Sequence, residues 1–265
     1  MPNLTADALQ VVFLCGGRGI RMREGMDRRP KALMEVGGRP IIWHIMKSFA
    51  HHGFTRFVLC LGYGSQDIRE YFHSYAWRRA NTRLRTRTGE LTFLDGPEIE
   101  DWTIDFIETG PDAETAERLL NARGHIHSER FVVTYADDLA NVDIGALVAF
   151  HEQQGRIAAL AGVLPESPFG ELEVENGLVT DFVEKPRLTR RINGGFYVFR
   201  HDVFDYLKRG ALMEQRPLQA LAEDRQLAVF EHDGFFLPLN TRKDLILANK
   251  LWYDCSNTPP WKVWD

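Results

Sequence analysis

The chain has few cysteines and no long apolar run. No stretch approaches the roughly 18 apolar residues of a membrane-spanning helix, and the start, MPNLTADALQ, lacks the basic and apolar regions of a signal peptide. The three cysteines, Cys15, Cys60 and Cys255, share no metal-ligand spacing. Two of them lie in apolar runs, which indicates buried thiols in a reducing compartment. We therefore expect a cytoplasmic protein.

Positive charge is not in excess either. The formal net charge is −5 at pH 7, whereas nucleic-acid-binding domains usually carry a net positive face. We therefore expect neither nucleic acid nor a membrane as a partner. The remaining composition, 44% hydrophobic and 26% charged over 265 residues, is typical of a globular protein with a sizeable core.

Short β-branched and aromatic runs alternate with amphipathic stretches. The pattern predicts strands at 10–14, 56–61, 130–135, 158–164 and 227–232, and helices at 41–51, 66–75 and 144–154. Parallel strands need crossover connections, which helices supply here. The sequence therefore predicts an α/β fold with one mostly parallel, Rossmann-like sheet.

Three segments depart from this alternation. Residues 78–107 are basic at their start and predict a small β excursion, and residues 171–199 predict short strands with turns at Asn176-Gly177 and at 193–195. Residues 200–265 predict a C-terminal elaboration with helices. We expect one domain over 1–265, whose Trp-rich tail either forms an interface in a homo-oligomer or folds back onto the domain.

A glycine-rich segment follows the first predicted strand. It reads Gly16-Gly17-Arg18-Gly19-Ile20-Arg21, with Lys31 ten residues further on. Glycines let backbone N–H groups approach phosphate oxygens, and arginine and lysine supply the charge that a triphosphate needs. The spacing fits neither the dinucleotide fingerprint nor the P-loop. Alone, the segment also fits a tight turn.

Polar groups follow at three later points. Asp137 and Asp138 come at the carboxyl end of a predicted strand, where open α/β sheets bind ligands and carboxylates can hold Mg²⁺. Glu184-Lys185 and Asn193-Gly194 offer groups for sugar hydroxyls and a phosphate. Each of these motifs alone also fits a helix cap or a salt-bridged turn.

The order GGxG-x-R…PK, a strand ending in Asp, EKP and NGG resembles the sugar-1-phosphate nucleotidyltransferase family. The segments PIIWHIMK (40–47), INGGFYV (192–198) and PWKVW (260–264) look like those of the glucose-1-phosphate cytidylyltransferases within it. The resemblance implies transfer of a nucleotidyl group from an NTP, best CTP, to a sugar 1-phosphate, best glucose 1-phosphate, with Mg²⁺ as cofactor.

The resemblance also implies site residues. The nucleotide-binding residues would be Gly16, Gly17, Gly19, Arg21, Lys31, Gly110 and Arg118. The sugar phosphate would be held by Glu184, Lys185, Asn193 and Gly194. The metal ligands would be Asp137, Asp138 and Asn240. The catalytic charges would come from Arg21, Lys31 and Lys185.

Five positions matter among the departures from the family pattern. Ile20 replaces a threonine, and Ala116-Glu117 replaces two glycines, which would crowd the nucleotide base and add a charge there. Asn240 stands where the family has its second metal-binding aspartate, while Asp138 stands where it has a glycine. We hypothesise that Asp138 compensates for the charge lost at Asn240.

Other functions remain open at this point. A sister enzyme for another NTP, or for a different phosphate or phosphonate acceptor, would share every retained motif. A catalytically weakened, nucleotide-binding regulatory homologue is compatible with Ile20 and Asn240. A nicotinamide-dependent oxidoreductase would need the fingerprint spacing that this chain lacks.

Overall fold

Local sequence sets where the main helices begin and end. The computed structural model describes residues 9–17, 29–75, 80–94, 100–167, 169–256 and 258–265. Pro40, with φ −60°, precedes the first long helix. The Asp143 side chain accepts the Ala146 N–H at 2.8 Å and so caps a later helix, which ends at Gly155 with φ 60°.

The elements are numbered along the chain. The strands are β1 (Gln10–Leu14), β2 (Glu35–Val36), β3 (Arg39–Pro40), β4 (Arg56–Leu61), β5 (Thr82–Arg85), β6 (Glu90–Phe93), β7 (Thr103–Glu108), β8 (Arg130–Tyr135), β9 (Asp138–Ala140), β10 (Ala158–Val163), β11 (Glu171–Glu175), β12 (Leu178–Val183), β13 (Ile192–Arg200), β14 (Leu227–His232) and β15 (Phe236–Pro238). The α-helices are α1 (Ile41–His51), α2 (Ser65–His73), α3 (Thr115–Ala122), α4 (Ile144–Gln154), α5 (Arg216–Glu223) and α6 (Arg242–Asp254).

A seven-stranded sheet forms the centre, in the order β14-β10-β13-β8-β1-β4-β7. β1 pairs in parallel with β4 and β8, β4 with β7, and β10 with β14. β13 is antiparallel to both of its neighbours. The predicted α/β fold with a mostly parallel sheet is confirmed.

Both faces of the sheet are buried. Along β1, Val11 and Phe13 point to one core cluster, while Val12 and Leu14 point to the other. The Phe13 ring lies 5.9 Å from that of Phe49 on α1. The other face packs against α3 and α5. The near-continuous apolar runs in the strands follow from burial on two sides.

The structure confirms one predicted turn and corrects the other. Asn176 and Gly177 have φ of 50° and 81°, as a tight hairpin between β11 and β12 requires. The predicted turn at 193–195 is wrong, because these residues lie inside β13. A Cβ at Gly194 would lie 2.6 Å from Val163 Cγ1, and one at Gly195, with φ 76°, 2.8 Å from the Tyr135 ring. The glycines permit close approach within the sheet.

The remaining segments are placed around this sheet. β5 and β6 form a separate hairpin, whereas β7 is the edge strand of the central sheet, so part of the segment 78–107 belongs to that sheet. The tail folds back onto α1: Trp261 is 1% exposed, and the Trp264 ring lies 5.8 Å from Trp43.

Candidate active site

One edge of the central sheet collects the polar loops. β1, β4, β7 and β8 run in parallel, so their carboxyl ends lie side by side. The four ends are followed, within two residues, by Gly16-Gly17, Gly62, Thr109-Gly110 and Asp137. β13 runs the other way, and its Asn193 therefore begins at the same edge. Ligands of open α/β sheets bind at this edge.

Arg118 holds the loop that follows β1. Arg118 is 4% exposed, and its guanidinium donates to the carbonyls of Gly16 (2.9 Å), Gly110 (2.7 Å) and Leu61 (3.2 Å), and to the Thr109 hydroxyl (3.0 Å). A Cβ at Gly16 would lie 2.1 Å from Arg118 Nη1. Glycine is required at position 16 because the guanidinium packs directly beneath it.

Gly16 and Gly17 are the part of the glycine-rich segment that the structure places. Gly17 is exposed at the edge of the sheet, where its backbone is accessible to a ligand. Gly19, Ile20 and Arg21 lie outside the described residues. Their predicted contacts with a triphosphate stay predictions.

Two close backbone contacts place Lys31 near the loop that follows β1. Gly62 packs against Gly16, since a Cβ there would lie 3.0 Å from the Gly16 carbonyl oxygen. Two residues on, Gly64 has φ 70° and abuts the Pro30 ring, at 2.2 Å from a Cβ position. Lys31 follows Pro30 and begins a short 3₁₀ helix.

The Lys31 ammonium joins two of the predicted metal ligands. Lys31 Nζ lies 2.6 Å from Asp137 Oδ2 and 3.3 Å from Asn240 Oδ1. Strand pairing brings the partners together, because β15 pairs with β9 and the Leu239 N–H donates to the Asp137 carbonyl at 3.0 Å. Asp137 and Asn240, which are 106 and 209 positions from Lys31 in sequence, therefore both contact its ammonium group.

Asn240 is held at the start of α6. The Thr241 hydroxyl and the Asp244 carboxylate form a reciprocal capping box. Asp244 Oδ2 also accepts the Asn240 N–H at 2.9 Å. The backbone of Asn240 is thus fixed by the helix cap, and its side chain points to Lys31.

Asp138 faces the interior of the molecule. Its Oδ2 lies 3.0 Å from the Cβ position of Gly195, and its side chain lines a small cavity with His44 and Trp261. Burial raises the pKa of the Asp138 carboxyl well above its usual value; the Asp137 carboxylate raises it further and the Lys31 ammonium lowers it. The structure records no hydrogen bond from Asp138 to Lys31 or Asn240.

The oxygen atoms around Lys31 could supply part of the coordination shell of a metal ion. In the described part of the chain, no three His, Cys, Asp or Glu side chains are arranged to hold an ion. Asp137 and Asn240 nevertheless direct two oxygens at one cationic point, which is occupied by the Lys31 ammonium. Mg²⁺ typically takes one or two carboxylates and completes its shell with waters and substrate phosphates. The donor set therefore fits Mg²⁺ bound together with a nucleotide.

A tyrosine pair supports Asn193, and no local sequence pattern indicates this contact. The Asn193 amide donates to the Tyr197 hydroxyl, which lies 3.3 Å from that of Tyr135, and Tyr135 in turn contacts Glu214. Asn193 Oδ1 accepts the Gly195 N–H at 3.0 Å. Burial raises the pKa of Tyr197, so its hydroxyl stays neutral.

Glu184 and Lys185 follow β12 and are exposed. Lys185 has φ 50°, an uncommon conformation for a side-chain-bearing residue. Glu184 Oε2 lies 3.0 Å from the Cβ position of Gly170. Neither side chain has a hydrogen bond or ion pair with Lys31, Asp137 or Asn240. The structure thus brings the nucleotide-side and metal-side residues together, and leaves the EKP segment separate from them.

Comparison with known proteins identifies the family. The nucleotidyl transferase family model matches residues 10–257. The chain is 42% identical over 258 residues to a probable glucose-1-phosphate cytidylyltransferase of Bacillus subtilis (strain 168), and 35% identical over 260 residues to a glucose-1-phosphate cytidylyltransferase of Salmonella typhi. Each similarity covers 97% of this chain and 100% of the relative. The chain belongs to the nucleotidyl transferase family, as the motifs predicted.

Solved structures share the fold. HddC from Yersinia pseudotuberculosis superposes with a TM-score of 0.67 at 21% identity, covering 91% of this chain and 98% of that chain. An apo UDP-glucose pyrophosphorylase gives 0.68 at 16% identity, covering 94% and 99%. In the described ranges, every helix is too short or too polar to cross a membrane.

Proposed function

We propose that this chain transfers a cytidylyl group from CTP to glucose 1-phosphate, giving CDP-glucose and pyrophosphate. The observation that carries the proposal is the cluster of Lys31, Asp137 and Asn240 beside the Gly16 loop, at the ligand-binding edge of the sheet. The full-length similarity to two relatives named glucose-1-phosphate cytidylyltransferase supports the choice of both substrates.

On the nucleotide side, the chain binds and orients the triphosphate. The backbone N–H groups at Gly16, Gly17 and Gly19 line the phosphates. Arg21 and Lys31 neutralise the charge that grows on the leaving pyrophosphate. To do so, the Lys31 ammonium leaves the Asp137 carboxylate and pairs with a phosphate oxygen of the nucleotide.

Arg118 and Gly110 act at the same loop. All the hydrogen bonds recorded for the Arg118 guanidinium go to groups of this loop region and its neighbours. We therefore assign Arg118 as a positioning residue that shapes the nucleotide loop. Gly110, whose carbonyl accepts a hydrogen bond from Arg118 and whose φ is 103°, lies beside the same loop.

On the sugar side, four residues hold the acceptor. Glu184 and Asn193 bind hydroxyls of the hexose, Gly194 keeps the backbone close to the sugar, and Lys185 pairs with its phosphate. A phosphate oxygen of the sugar 1-phosphate attacks the α-phosphorus of CTP, and the bond to the bridging oxygen of pyrophosphate breaks. The nucleophile is already an anion, so positioning and charge neutralisation are sufficient and no general base is required.

Asp137 and Asn240 would hold Mg²⁺, with Asp138 as the compensating carboxylate. Bound there, the ion would supply positive charge at the α-phosphate and pyrophosphate oxygens. Asp138 has to rotate or shift to reach it, because its carboxyl faces Gly195. Mg²⁺ activation of the Asp138→Asn variant tests this role.

The placement of Glu117 removes one reason to expect a base other than cytosine. Its carboxylate accepts the Gly210 N–H at 3.1 Å and lies 3.7 Å from Arg209. The charge that was expected beside the nucleotide base is therefore directed to the 209–210 loop. Ala116 lies in the first turn of α3 and is fully buried.

A matrix of four NTPs against several sugar 1-phosphates, read by pyrophosphate release, tests the function. We expect CTP with glucose 1-phosphate to give the highest kcat/KM. Lys31→Ala protein, purified in parallel, controls for contaminating activity. A different best pair would replace the substrates and keep the reaction, whereas no release with any pair would favour the regulatory homologue.

A further inference from the structure

Two arginines hold the segment that joins the sugar-side residues Lys185 and Asn193. We call residues 184–191, which connect β12 to β13, the sugar-side link. Arg187 lies in the middle of this link and Arg191 at its end. Both guanidinium groups donate to backbone carbonyls at the carboxyl ends of β10 and β14.

These strand ends lie at the ligand-binding edge of the sheet. β10 and β14 are parallel, and Val163 lies opposite His232, so their carboxyl ends are adjacent. β10 is antiparallel to β13, and Val163 pairs with Ile192 at the start of β13. The carboxyl ends of β10 and β14 therefore lie at the same edge as Asn193. A segment that is bound to these ends is held at that edge.

Arg187 ties the middle of the sugar-side link to both strand ends. Its Nε donates to the Leu164 carbonyl at 2.9 Å, and its Nη2 donates to the Asp233 carbonyl at 2.5 Å. The planar guanidinium can reach two acceptors in fixed positions at once, which a lysine ammonium does less well. Arg187 thus connects the link with the ends of β10 and β14 through one side chain.

Backbone hydrogen bonds fix the link next to Lys185. The Ser167 N–H donates to the Pro186 carbonyl at 2.7 Å, and the Leu188 N–H donates to the Pro165 carbonyl at 2.9 Å. Lys185 itself has φ 50°, a conformation that a residue with a side chain keeps where its surroundings hold it. The backbone of Lys185 is therefore fixed although its side chain is exposed.

Arg191 fixes the end of the link, directly before β13. Its Nη1 donates to two carbonyls at 3.2 Å each, those of Gly162 and His232. Its Nη2 lies 2.8 Å from each of two carboxylates, those of Glu231 and Asp233. The Arg191 side chain is 22% exposed, so these bonds are partly shielded from water.

Asp233 connects the sugar-side link with the metal-side residues. Its carbonyl accepts from Arg187 and its carboxylate accepts from Arg191. β15 follows Asp233 along the chain, pairs with β9, and leads to Asn240. β9 begins directly after Asp137. A short, paired stretch of chain therefore joins the anchor of both arginines to the oxygen atoms around Lys31.

We propose that Arg187 and Arg191 are positioning residues, which hold the sugar-side link so that Lys185 and Asn193 face the same sugar 1-phosphate. Both arginines act through the backbone. The Lys185 side chain stays free to close on the phosphate, while the point from which it extends is fixed. The inference rests on the proposed function, because it takes Lys185 as the partner of the sugar phosphate.

Arg187→Met tests the proposal, because it removes both hydrogen bonds of an exposed side chain and keeps an apolar stem. We expect kcat/KM for glucose 1-phosphate to fall by about 10- to 100-fold, since a displacement of about 1 Å costs up to about 10²-fold. The KM for CTP should not change. Arg187→Lys should recover part of the loss, because an ammonium group can replace one of the two bonds.

Arg190→Met is the matched control. Arg190 belongs to the same link, is exposed, and has no hydrogen bond or ion pair with another described residue. The substitution removes the same charge as Arg187→Met and should leave both kinetic constants unchanged. Arg191→Lys should lower kcat/KM for glucose 1-phosphate, since an ammonium group cannot bind two carbonyls and two carboxylates together. An unchanged value would remove Arg191 from this role.

Hydrogen exchange provides a measurement that needs no turnover. Exchange of the amides at 187–191, read by mass spectrometry, should be about tenfold faster in Arg187→Met, because the lost hydrogen bonds stabilise the link by a comparable factor. Arg190→Met should exchange as the native chain does. Unchanged exchange in Arg187→Met, an equal effect in Arg190→Met, or an equal rise in the KM for CTP would overturn the proposal.

Failure of the proposed function gives a different result. The native chain would then release no pyrophosphate from CTP and glucose 1-phosphate. Calorimetric titration with glucose 1-phosphate still compares the variants in that case. Weaker binding in Arg187→Met than in Arg190→Met would support the positioning role, whereas equal binding, or no binding to the native chain, would overturn it.

Discussion

The nucleotide side and the sugar side of the candidate site differ in how firmly their polar groups are held. On the nucleotide side, Arg118 is buried and donates to three backbone carbonyls within 3.2 Å, and Lys31 pairs with Asp137 at 2.6 Å. On the sugar side, Asn193 is held by Tyr197 and by the Gly195 N–H, but the charged pair Glu184 and Lys185 is exposed at the end of a hairpin.

The difference implies a division of work. Groups that are held before the substrate arrives cost little to order during binding, whereas free side chains lose rotamer freedom when they close on a ligand. We therefore expect the nucleotide side to be preorganised, and the sugar side to be ordered by the sugar phosphate.

Lys31→Ala should give the largest effect on the reaction. The substitution removes a charge aimed at the triphosphate, and loss of one such stabilising group typically lowers kcat by about 10²–10³-fold. Steady-state kinetics at saturating substrates measures it, and we expect a similar loss in Arg21→Ala. Near-normal turnover would remove the substituted residue from the mechanism.

Lys185→Ala should reduce turnover by about 10²-fold and weaken binding of the sugar phosphate, with little effect on the KM for NTP. Lys185 is exposed and has no recorded ion pair, so the melting temperature should not change. Lys208→Ala, at another exposed lysine, is the matched control. An increase in the KM for NTP alone would place Lys185 on the nucleotide side and break the comparison.

Arg118→Met should destabilise the fold. Several buried carbonyls lose their donor, and each such loss costs about 1–3 kcal/mol, so we expect the free energy of unfolding to fall by about 3 kcal/mol or more. The KM for NTP should also rise, and Arg118→Lys should not restore it because an ammonium lacks the planar fork.

Arg123→Met is the control for that variant. The Arg123 guanidinium lies 5.0 Å from the Phe204 ring centroid, an interaction worth roughly 1 kcal/mol. Urea unfolding measures both variants. An equal loss of unfolding free energy in the two variants would show that the hydrogen bonds of Arg118 do not stabilise the fold more than an exposed cation–π contact does.

Sequence patterns predicted the preorganised side better than the exposed side, and the reason is geometric. Continuous β-branched and aromatic runs identified β1, β4 and β8, so the positions of Gly16 and Asp137 near strand ends followed directly. The bond from Arg118 to Gly16 joins residues 102 positions apart, and no local pattern encodes such a contact. The turn predicted at 193–195 was wrong for the same reason, because Gly194 and Gly195 contact Val163, Tyr135 and Asp138, which are distant in sequence.

His44 should make the packing under the site sensitive to acid. It is buried with Nε2 donating to the Val36 carbonyl at 2.8 Å, and desolvation lowers its pKa from 6.5 to about 4. Below pH 6.5 the unfolded chain gains a proton that the folded chain does not accept until about pH 4. Stability is therefore lost as the pH falls through this window, by about 3 kcal/mol at most.

Urea midpoints at pH 7 and pH 5 measure this loss, and His44→Phe should flatten the dependence. Lowered pKa values of His52, His151 and His232 leave a residual slope in the same direction. The raised pKa of Asp138, which lines the same cavity, acts in the opposite direction because its neutral form is favoured at low pH. An unchanged slope in His44→Phe would contradict the prediction.

The smallest effect expected is on Mg²⁺ affinity, and it tests whether Asp138 belongs to the preorganised side at all. If its carboxyl compensates for the charge missing at Asn240, Asp138→Asn should weaken Mg²⁺ activation by about tenfold, which corresponds to about 1.4 kcal/mol. Asn240→Asp should strengthen it, since a carboxylate then faces the same point as Asp137. Mg²⁺ titrations at saturating NTP give the activation constants, with Asp202→Asn as a control at a carboxylate that pairs with Arg200. Unchanged affinity in Asp138→Asn would show that the buried carboxyl serves packing against Gly195, and that Asp137 and Asn240 hold the ion with the substrate's own oxygens.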